Sequence, residues 1–502
     1  MFSKVFSAHV NGIEAELVEV ETDIASMGLP SFSMVGLADA AVRESRDRVR
    51  SALKNININV FAKPITINLA PADFKKDGTY FDLPVAVGLA ISGGCAEGNT
   101  DGIIFAGELS LDGRLRAVSG ILPIALCAKD NGFKKVIVPK DNADEAAIVS
   151  GVDIYSAETL SEVLDLIQNP DKYTPHKVDT NALFSRNRFY KEDFAEVKGQ
   201  MVARRCAEIA AAGMHNLFMI GSPGSGKTMI ARRLPSILPD MTLDEAIETT
   251  KIHSVAGLVR SASDLKSTRP FFAPHHTSSN VALIGGTSKA VPGQVSLATN
   301  GILFLDEFLE FNRSVLETLR QPLEDGEVTI ARASRTVSYP AKFMLAAAAN
   351  PCPCGYLGDK QRECTCSQGQ IQKYRSRLSG PLMDRIDLHV EVRSVEIKQL
   401  ADLSDGESSE AIKARVAKAH AIQMKRAGVF NSRLSEKELK KYCKLDAQGQ
   451  KIIETAASKY ALSARAYAKI LKTSRTIADL EGSADIQAKH ILESLQYRLL
   501  TD

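Results

Sequence analysis

The stretch Gly221-Ser222-Pro223-Gly224-Ser225-Gly226-Lys227-Thr228 decides the fold, because it fits the phosphate-loop pattern G-x-x-x-x-G-K-[ST] at every fixed position. The apolar run Leu217 to Ile220 before it predicts a buried strand, and Met229 to Leu234 after it predicts the opening of a helix. In the order strand, loop and helix, the glycines of the loop allow main-chain N–H groups to surround a phosphate at the positive end of the helix. We therefore expect Lys227 to reach the β- and γ-phosphates of ATP and Thr228 to bind Mg²⁺. A chance Gly/Ser turn is the alternative.

The length and composition suit a globular protein. A chain of 502 residues has room for two to four domains, and a hydrophobic content of 44% is ordinary. The 62 basic and 60 acidic side chains nearly balance, so nucleic-acid binding would have to come from local basic loops. No secretory leader and no membrane-spanning apolar run are evident. We expect a cytoplasmic protein with no membrane partner, whose eight cysteines are thiols or metal ligands rather than disulfides.

A second motif follows the phosphate loop by some 80 residues. Ile302 to Leu305 are four consecutive apolar residues, as a strand buried on both faces requires, and Asp306 and Glu307 follow directly. An Asp at the end of this strand can reach the Mg²⁺ held by Thr228, and Glu307 is the natural general base for an attacking water. A third buried strand, Phe343 to Ala349, ends at Asn350, which could orient that water or cap a turn before Pro351.

The first 170 residues read as a separate α/β domain. Alternating runs predict strands at Ala15 to Val20 and Ile65 to Leu69, and Ile104 to Leu115 predicts a hairpin turning at Asp-Gly. This part resembles the Lon-protease-type domain, through Phe81-Asp82-Leu83-Pro84-Val85-Ala86 and Gly107 to Pro139. The positions that match the family's catalytic Ser and Lys are Val85 and Leu122. Neither side chain can attack a carbonyl group or accept a proton. The resemblance therefore implies a scaffold or oligomerisation module without peptidase activity.

The ATPase region resembles the AAA+ proteins of the magnesium-chelatase and MCM-like branch. By this resemblance, main chain at Val197 lines the adenine pocket and Asn350 is the sensor-1 residue. Arg385 in Asp384-Arg385-Ile386 is then an arginine finger for the neighbouring subunit, although an ion pair with Asp384 or Asp387 is the plain alternative. Ser463 is expected to cap a helix that carries Arg465 in its first turn, where a cation gains nothing from the helix dipole. That placement suits a sensor-2 arginine facing phosphate, with an ordinary surface arginine as the alternative.

Two insertions resemble those of the same branch. The first insertion, Arg269 to Ser279 with the following Val281 to Gln294, contains the Pro-His-His-Thr core, with Phe272 where the family often has Arg. Since neighbouring side chains of an extended chain point to opposite sides, we expect no metal site at His275 and His276. The segment Glu327 to Pro340 alternates on both sides of a small-residue turn and predicts a hairpin. The resemblance implies that this hairpin lines the pore of a ring. Basic side chains of the two insertions could there contact the phosphate backbone of DNA: Arg332, Arg335 and Lys289. Solvated surface arginines are the alternative.

Four cysteines stand in one short loop: Cys352, Cys354, Cys364 and Cys366. Four thiolates supply a tetrahedral ligand set for a structural Zn²⁺. The C-x-C spacing departs from the usual C-x₂-C, so reduced free cysteines in a Gly-rich loop remain the alternative.

The domain boundaries follow from these motifs and from helical patterns near the C-terminus. We expect a fold of class α/β with four parts: a Lon-protease-like domain at 1–170, a linker at 171–190, an AAA+ core with a parallel sheet at 191–395, and a helical lid at 396–502. The linker mixes prolines with polar residues and predicts an exposed hinge.

This order of parts resembles the ComM/YifB family of magnesium-chelatase-like AAA+ ATPases over nearly the whole chain. The resemblance implies a hexameric ring that hydrolyses ATP to drive branch migration of recombination intermediates during natural transformation. The first alternative is a chelatase-type motor subunit that remodels a protein partner for metal insertion. A regulatory or peptidase-linked ATPase is a further class, which Val85 and Leu122 disfavour.

Overall fold

The computed structural model describes residues 1–186, 190–259, 264–286, 290–332, 335–359, 362–394, 405–460 and 462–498. The described residues form a seven-stranded sheet, a five-stranded sheet, three two-stranded sheets and a helical C-terminal part. Among the helices described, none is long and apolar enough to cross a membrane.

The N-terminal region folds around a seven-stranded sheet of order β3-β4-β2-β1-β5-β8-β9, with β6 and β7 forming a small hairpin beside it. Its strands are β1 (Phe2–Asn11), β2 (Glu14–Ile24), β3 (Phe32–Val35), β4 (Ile65–Ala70), β5 (Ile103–Phe105), β6 (Glu108–Leu109), β7 (Leu115–Arg116), β8 (Lys135–Pro139) and β9 (Asp153–Ala157). Its helices are α1 (Ala40–Asn55), α2 (Asp82–Ser92), α3 (Ile121–Asp130), α4 (Ala143–Ala146) and α5 (Leu160–Gln168). The expected strands, hairpin and α/β arrangement are confirmed.

Helix α2 carries the Lon-like motif and is buried almost all round. An apolar helix of this kind can only lie inside a domain, and α2 packs against β1 and β2. Val85 in α2 and Leu122 in α3 are both fully buried. These two side chains therefore fill the core where a protease of this fold would need a nucleophile and a base.

The connector contains more structure than its composition predicts. Helix α6 (Thr180–Arg186) follows the prolines, and Phe184 is buried within the N-terminal core. His176 lies 2.7 Å from Asp144, and the hydroxyl oxygen of Tyr190 accepts a hydrogen bond of 3.0 Å from the main-chain N–H of Arg269. Residues 171–180 are exposed or half-buried, and these tertiary contacts hold parts of a segment that has no periodicity of its own.

The ATPase core is built on a parallel five-stranded sheet of order β11-β14-β17-β10-β18. The strands of this region are β10 (Leu217–Ile220), β11 (Phe271–Phe272), β12 (Gly285–Gly286), β13 (Val291–Pro292), β14 (Ile302–Leu305), β15 (Glu327–Arg332), β16 (Arg335–Pro340), β17 (Met344–Ala349) and β18 (Leu388–Glu391). The helices are α7 (Met201–Gly213), α8 (Lys227–Ile237), α9 (Leu243–Val255), α10 (Asn280–Ile284), α11 (Gln294–Leu297), α12 (Arg313–Thr318), α13 (Arg320–Asp325), α14 (Gln368–Arg375) and α15 (Gly380–Met383). The predicted parallel sheet is confirmed.

The C-terminal part is helical, as the sequence predicts: α16 (Ser409–Ala427), α17 (Glu436–Tyr442), α18 (Ala447–Tyr460), α19 (Ala464–Leu480) and α20 (Ala488–Gln496). Ser463 caps α19, since its hydroxyl oxygen accepts a hydrogen bond of 3.1 Å from the N–H of Ala466. The last helix, α20, begins at Ala488. Carbonyl oxygens of Ser483 and Ala484 accept hydrogen bonds from the Arg475 guanidinium, which keeps the chain before α20 in a turn.

The N-terminal core extends across the expected domain boundary. Buried side chains from the region of α9, Met241, Ala246 and Leu265, belong to the same apolar cluster as α2 and α3. Helix α9 packs directly on α3. The two α/β regions thus share a continuous buried surface, and this surface reaches the helix that follows the phosphate-loop helix α8.

Candidate functional site

The phosphate loop leaves the carboxyl end of β10 and turns into α8, in the order that the sequence predicts. Two of its glycines are needed for their conformation, since Gly224 and Gly226 have φ angles of +78° and +98°. Gly221 is needed for close approach, because an added Cβ would stand 2.1 Å from the carbonyl oxygen of Val392. The loop encloses a cavity of about 380 Å³ lined by Pro223, Gly224, Ser225, Gly226, Lys227, Thr228, Met229, Asp306, Glu307, Ala348, Ala349 and Asn350.

Lys227 is buried under this loop. Its ammonium group donates hydrogen bonds to the carbonyl oxygens of Gly221 (2.7 Å) and Ser222 (3.0 Å) and to Oδ1 of Asn350 (3.3 Å). Burial lowers the pKa of Lys227 below its ordinary value, whereas the charge of Asp306 acts in the opposite direction. A buried cation with neutral oxygens as its hydrogen-bond acceptors fits a phosphate, whose charge would compensate for the lost hydration.

Thr228 and Asp306 meet at the mouth of the same cavity. The Thr228 hydroxyl donates a hydrogen bond of 2.7 Å to Oδ2 of Asp306, and Oδ1 of Asp306 accepts one of 2.9 Å from the N–H of Glu307. A hydroxyl and a carboxylate are the hard oxygen ligands that Mg²⁺ prefers. The residues present therefore fit Mg²⁺ at this position.

Glu307 follows β14 in a left-handed conformation, with φ at +50°. A non-glycine residue adopts this conformation only where its surroundings enforce it, and such residues cluster at functional sites. Its carboxylate lines the cavity, and Oε2 lies 3.0 Å from Nδ1 of His276. The candidate general base is thus held by a side chain from the first insertion.

The two histidines of that insertion are arranged differently from the expectation. Their ring centroids are 4.1 Å apart and the ring planes are tilted by 33°, so the two rings are in contact. The expectation that they point to opposite sides is wrong, because the chain enters a turn at His276 and is not extended there. Nδ1 of His275 lies 2.8 Å from the Thr277 hydroxyl.

Asn350 lines the cavity, whereas Val197 is not among the residues that line it. Asn350 follows β17, and Oδ1 of its amide group reaches Lys227, as described above. The Val197 side chain is fully buried in an apolar cluster of the ATPase core. The N–H of Gly406 donates a hydrogen bond of 2.7 Å to the carbonyl oxygen of Ala195, so the lid segment returns to the turn that contains Val197.

Arg385 and Arg465 do not line the cavity. Arg385 stands three residues before the start of β18, at the amino edge of the sheet, whereas the phosphate loop leaves the carboxyl edge. The Arg385 guanidinium pairs with Glu324 and donates to the carbonyl oxygen of Pro381, and its Nε has no hydrogen-bond partner within the described ranges. The Arg465 guanidinium lies 3.2 Å from Oε1 of the same Glu324. Neither arginine reaches the phosphate loop of its own chain, and the partner of Arg385 is neither Asp384 nor Asp387.

The four loop cysteines converge. All four Sγ atoms lie within 4.8 Å of one another, and the pairs Cys352–Cys354, Cys354–Cys364 and Cys352–Cys364 are 3.4, 3.5 and 3.6 Å apart. A tetrahedral site with Zn–S distances near 2.3 Å has Sγ atoms about 3.8 Å apart. The N–H of Cys354 also donates to Sγ of Cys366 at 3.3 Å, as is common around metal-bound thiolates. The donor set therefore fits Zn²⁺.

This cysteine loop touches the nucleotide cavity. An added Cβ at Gly355 would stand 2.7 Å from the ring of Pro223 and 3.8 Å from Cγ of Asn350. Gly355 of this loop therefore packs on the phosphate loop at Pro223.

The second insertion forms the predicted hairpin. Strands β15 and β16 pair in antiparallel register, and Arg332 and Arg335 are partners at its end. Val328, Ile330, Val337 and Tyr339 are buried, and the Tyr339 hydroxyl donates 2.8 Å to the carbonyl oxygen of Ala290 in the first insertion. The two insertions therefore pack on each other. Lys289 lies outside the described residues.

Two contacts of the site have no local sequence signal. His276 belongs to the Pro-His-His-Thr core of the sequence, but its contact with Glu307 depends on a turn that the sequence pattern does not indicate. Glu324 stands among ordinary charged residues of α13, and nothing in that stretch singles it out. Only the fold brings Arg385 and Arg465 to it.

Comparison with known families covers most of the chain. The family model described as "Magnesium chelatase, subunit ChlI" matches residues 193–400. "Subunit ChlI of Mg-chelatase" matches residues 20–142, and "Magnesium chelatase, subunit ChlI C-terminal" matches residues 406–498.

Full-length relatives agree with these matches. The chain is 44% identical over 502 residues to "Competence protein ComM" of Haemophilus influenzae, covering 99% of this chain and 97% of the relative. It is 40% identical over 492 residues to the protein YifB of Escherichia coli, covering 97% of this chain and 95% of the relative. The chain is also 24% identical over 309 residues to "DNA replication licensing factor mcm6" of Dictyostelium discoideum, and this match covers 57% of this chain and 31% of that protein.

Proposed function

Since this chain belongs to the ComM/YifB family of magnesium-chelatase-like AAA+ ATPases, we propose that it hydrolyses ATP to drive a ring-shaped motor on DNA. The motor acts as a branch-migration helicase on recombination intermediates in natural transformation. The observation that carries the ATPase part is the convergence of Lys227, Thr228, Asp306, Glu307 and Asn350 on one cavity at the carboxyl edge of the sheet.

Each of these side chains has a separate task in hydrolysis. Lys227 binds the β- and γ-phosphates, and Thr228 with Asp306 holds the Mg²⁺ that neutralises phosphate charge when bound. Glu307 accepts a proton from the attacking water, and Asn350 orients that water from the neighbouring strand. The cavity walls and the main-chain N–H groups of the loop fix the phosphates before reaction, which is the main contribution of a protein to phosphoryl transfer.

A complete site needs a second subunit. Arg385 lies at the amino edge of the sheet, so its guanidinium can approach only the nucleotide of a neighbouring protomer. Arg465 lies at the same place, which makes it a second candidate for contact in trans. An arginine finger on one face and a phosphate loop on the opposite face define a head-to-tail interface. Such an interface forms a ring when the rotation between neighbouring subunits closes. We propose a homo-hexameric ring.

The DNA part of the proposal rests on the hairpin and on the relatives. Arg332 and Arg335 are register partners at the end of β15 and β16, which places two basic residues at one tip. Such a tip suits a DNA backbone, because phosphate contacts require charge and not sequence readout. One relative is named a competence protein and another a DNA replication licensing factor. Lys289 of the other insertion is the third proposed DNA contact.

The cysteine loop is proposed to hold a structural Zn²⁺ on Cys352, Cys354, Cys364 and Cys366. Four protein ligands close the coordination sphere and leave no position for a reacting water. The ion would fix the loop that packs on Pro223 and thereby support the phosphate loop.

A second candidate function is a chelatase-type motor that remodels a protein partner for metal insertion. The specific observation in its favour is that all three matching family models are described as magnesium chelatase subunits. Such a ring would use the same ATP site and would not need DNA in its pore.

The deciding experiment measures ATPase rates with single-stranded DNA, duplex DNA and four-way junctions. We expect stimulation by DNA, and we expect the double variant Arg332→Ala/Arg335→Ala to lose it while the rate without DNA is retained. The double variant Arg46→Ala/Arg114→Ala removes two exposed arginines of the N-terminal domain and serves as a control. Absence of stimulation by every DNA form would favour the chelatase-type motor.

A further inference from the structure

The turn between β1 and β2 reaches out of the N-terminal domain and contacts the hairpin β15–β16. Gly12 in this turn is buried, and an added Cβ would stand 2.7 Å from Cγ1 of Val337 and 3.4 Å from the carbonyl oxygen of Ser338. Its neighbour Ile13 packs against the apolar cluster that contains Val337. Gly12 also has φ at +66°, so this turn needs glycine both for space and for conformation.

A second set of contacts fixes the same domain to α9. Lys251 of α9 lies 2.7 Å from Oε1 of Glu14, and the Ser254 hydroxyl donates 2.5 Å to Oε1 of Glu145. Glu145 is buried and also accepts a hydrogen bond of 3.0 Å from the N–H of Leu122. A buried carboxylate with several donors is a strong anchor, because loss of the donors would leave it unsatisfied.

We infer that the N-terminal domain is a brace for the hairpin: the Gly12 turn sets the position of β16, while α9 fixes the domain to the nucleotide-binding core. The hairpin alone is a two-stranded ribbon, and such ribbons are marginally stable without a packed face. Its apolar face packs on the first insertion and on Ile13, so the N-terminal domain supplies part of that face. The consequence for DNA handling rests on the proposed function, whereas the brace itself does not.

The test uses a double-mutant cycle in the full chain. Gly12→Ala introduces a methyl group into the space of Val337, and Val337→Ala removes the opposing atoms. Gly102→Ala is the matched control, because Gly102 has φ at +73° in the same domain and no heavy atom within 4 Å of an added Cβ. The readout is hydrogen exchange of the amides of β15 and β16, with the amides of β1 and β2 followed in the same experiment.

We expect Gly12→Ala to accelerate exchange in the hairpin roughly tenfold relative to Gly102→Ala, because overpacking displaces β16. In the Val337→Ala background the same substitution should have much less effect, since the two sites interact directly. Equal hairpin exchange in Gly12→Ala and Gly102→Ala would overturn the brace, as would an equal effect of Gly12→Ala in both backgrounds. Loss of protection in β1 and β2 alone, with an unchanged hairpin, would also contradict it.

An ATPase measurement on the same variants separates the brace from the proposed function. If DNA stimulates the wild-type protein, Gly12→Ala should reduce that stimulation several-fold and leave the rate without DNA close to that of Gly102→Ala. If hairpin exchange responds as expected but no DNA form stimulates the wild type, the brace stands and the DNA motor fails. If stimulation is present and hairpin exchange does not respond, the motor stands and the brace fails.

Discussion

Arg385 and Arg465 contact the same carboxylate, that of Glu324, although one precedes the last strand of the sheet and the other begins a lid helix. Glu324 stands in α13, one residue before the helix ends ahead of the hairpin. The hydrogen bond from Arg385 and the charges of both arginines lower the pKa of Glu324, so it is an acceptor for both over the neutral pH range. Both arginines are thus presented together on the face that lies away from their own phosphate loop.

Subunits that carry different defects should therefore complement each other. Arg385→Ala protomers keep Lys227, and Lys227→Ala protomers keep Arg385, so an equal mixture contains intact sites at about one quarter of the interfaces in a randomly mixed ring. We expect the mixture to regain ATPase activity that neither variant has alone. An activity equal to the mean of the two separate variants would contradict a site shared between subunits.

Substitutions at Lys227 and Glu307 should separate binding from hydrolysis. Lys227→Ala removes the cation that faces the phosphates, so we expect weaker ATP binding as measured with a fluorescent nucleotide. Glu307→Gln keeps the shape of the side chain but cannot accept a proton, so ATP should bind and stay trapped while kcat falls roughly 10²- to 10⁴-fold. Equal loss of binding in both variants would mean that Glu307 is not the base.

His276 should matter for hydrolysis more than its neighbour His275. Nδ1 of His276 lies 3.0 Å from the Glu307 carboxylate, so His276→Ala leaves the base without this partner and we expect kcat to fall several-fold at unchanged ATP affinity. His276→Asn retains a hydrogen-bond donor and should recover part of the rate. His275→Ala is the control, because it removes the ring beside His276 while the polar contact of the His275 ring is with Thr277 and not with Glu307. A larger loss in His275→Ala would contradict this role.

The cysteine loop should carry metal in the purified full-length chain. We expect about one zinc per chain by elemental analysis, and loss of that zinc in Cys364→Ser/Cys366→Ser. Since Gly355 of this loop packs on Pro223, the same double variant, assayed with Mg²⁺ held constant, should also bind ATP more weakly. Cys95→Ser, which changes an exposed cysteine of the N-terminal domain, should retain the metal. A wild-type chain that takes up no zinc from solution would refute the site.

The residues around the phosphate-loop cavity are brought together as the sequence predicts, because they belong to local motifs at the ends of buried strands. Leu217 to Ile220 and Ile302 to Leu305 are strands with the expected bounds, and parallel strands bring their carboxyl ends together without further information. The sequence does not predict contacts between segments that are far apart along the chain. Glu324 with Arg465, His276 with Glu307 and Gly12 with Val337 each depend on how separate elements pack.

The buried position of α9 has a practical consequence for dissecting this molecule. A polypeptide that started after the connector would lose α3 and the apolar cluster to which Met241, Ala246 and Leu265 belong, and would present those side chains to water. Chimaeras between relatives should therefore exchange α9 together with the first 170 residues, since a crossover at the connector would split one core between two parental sequences.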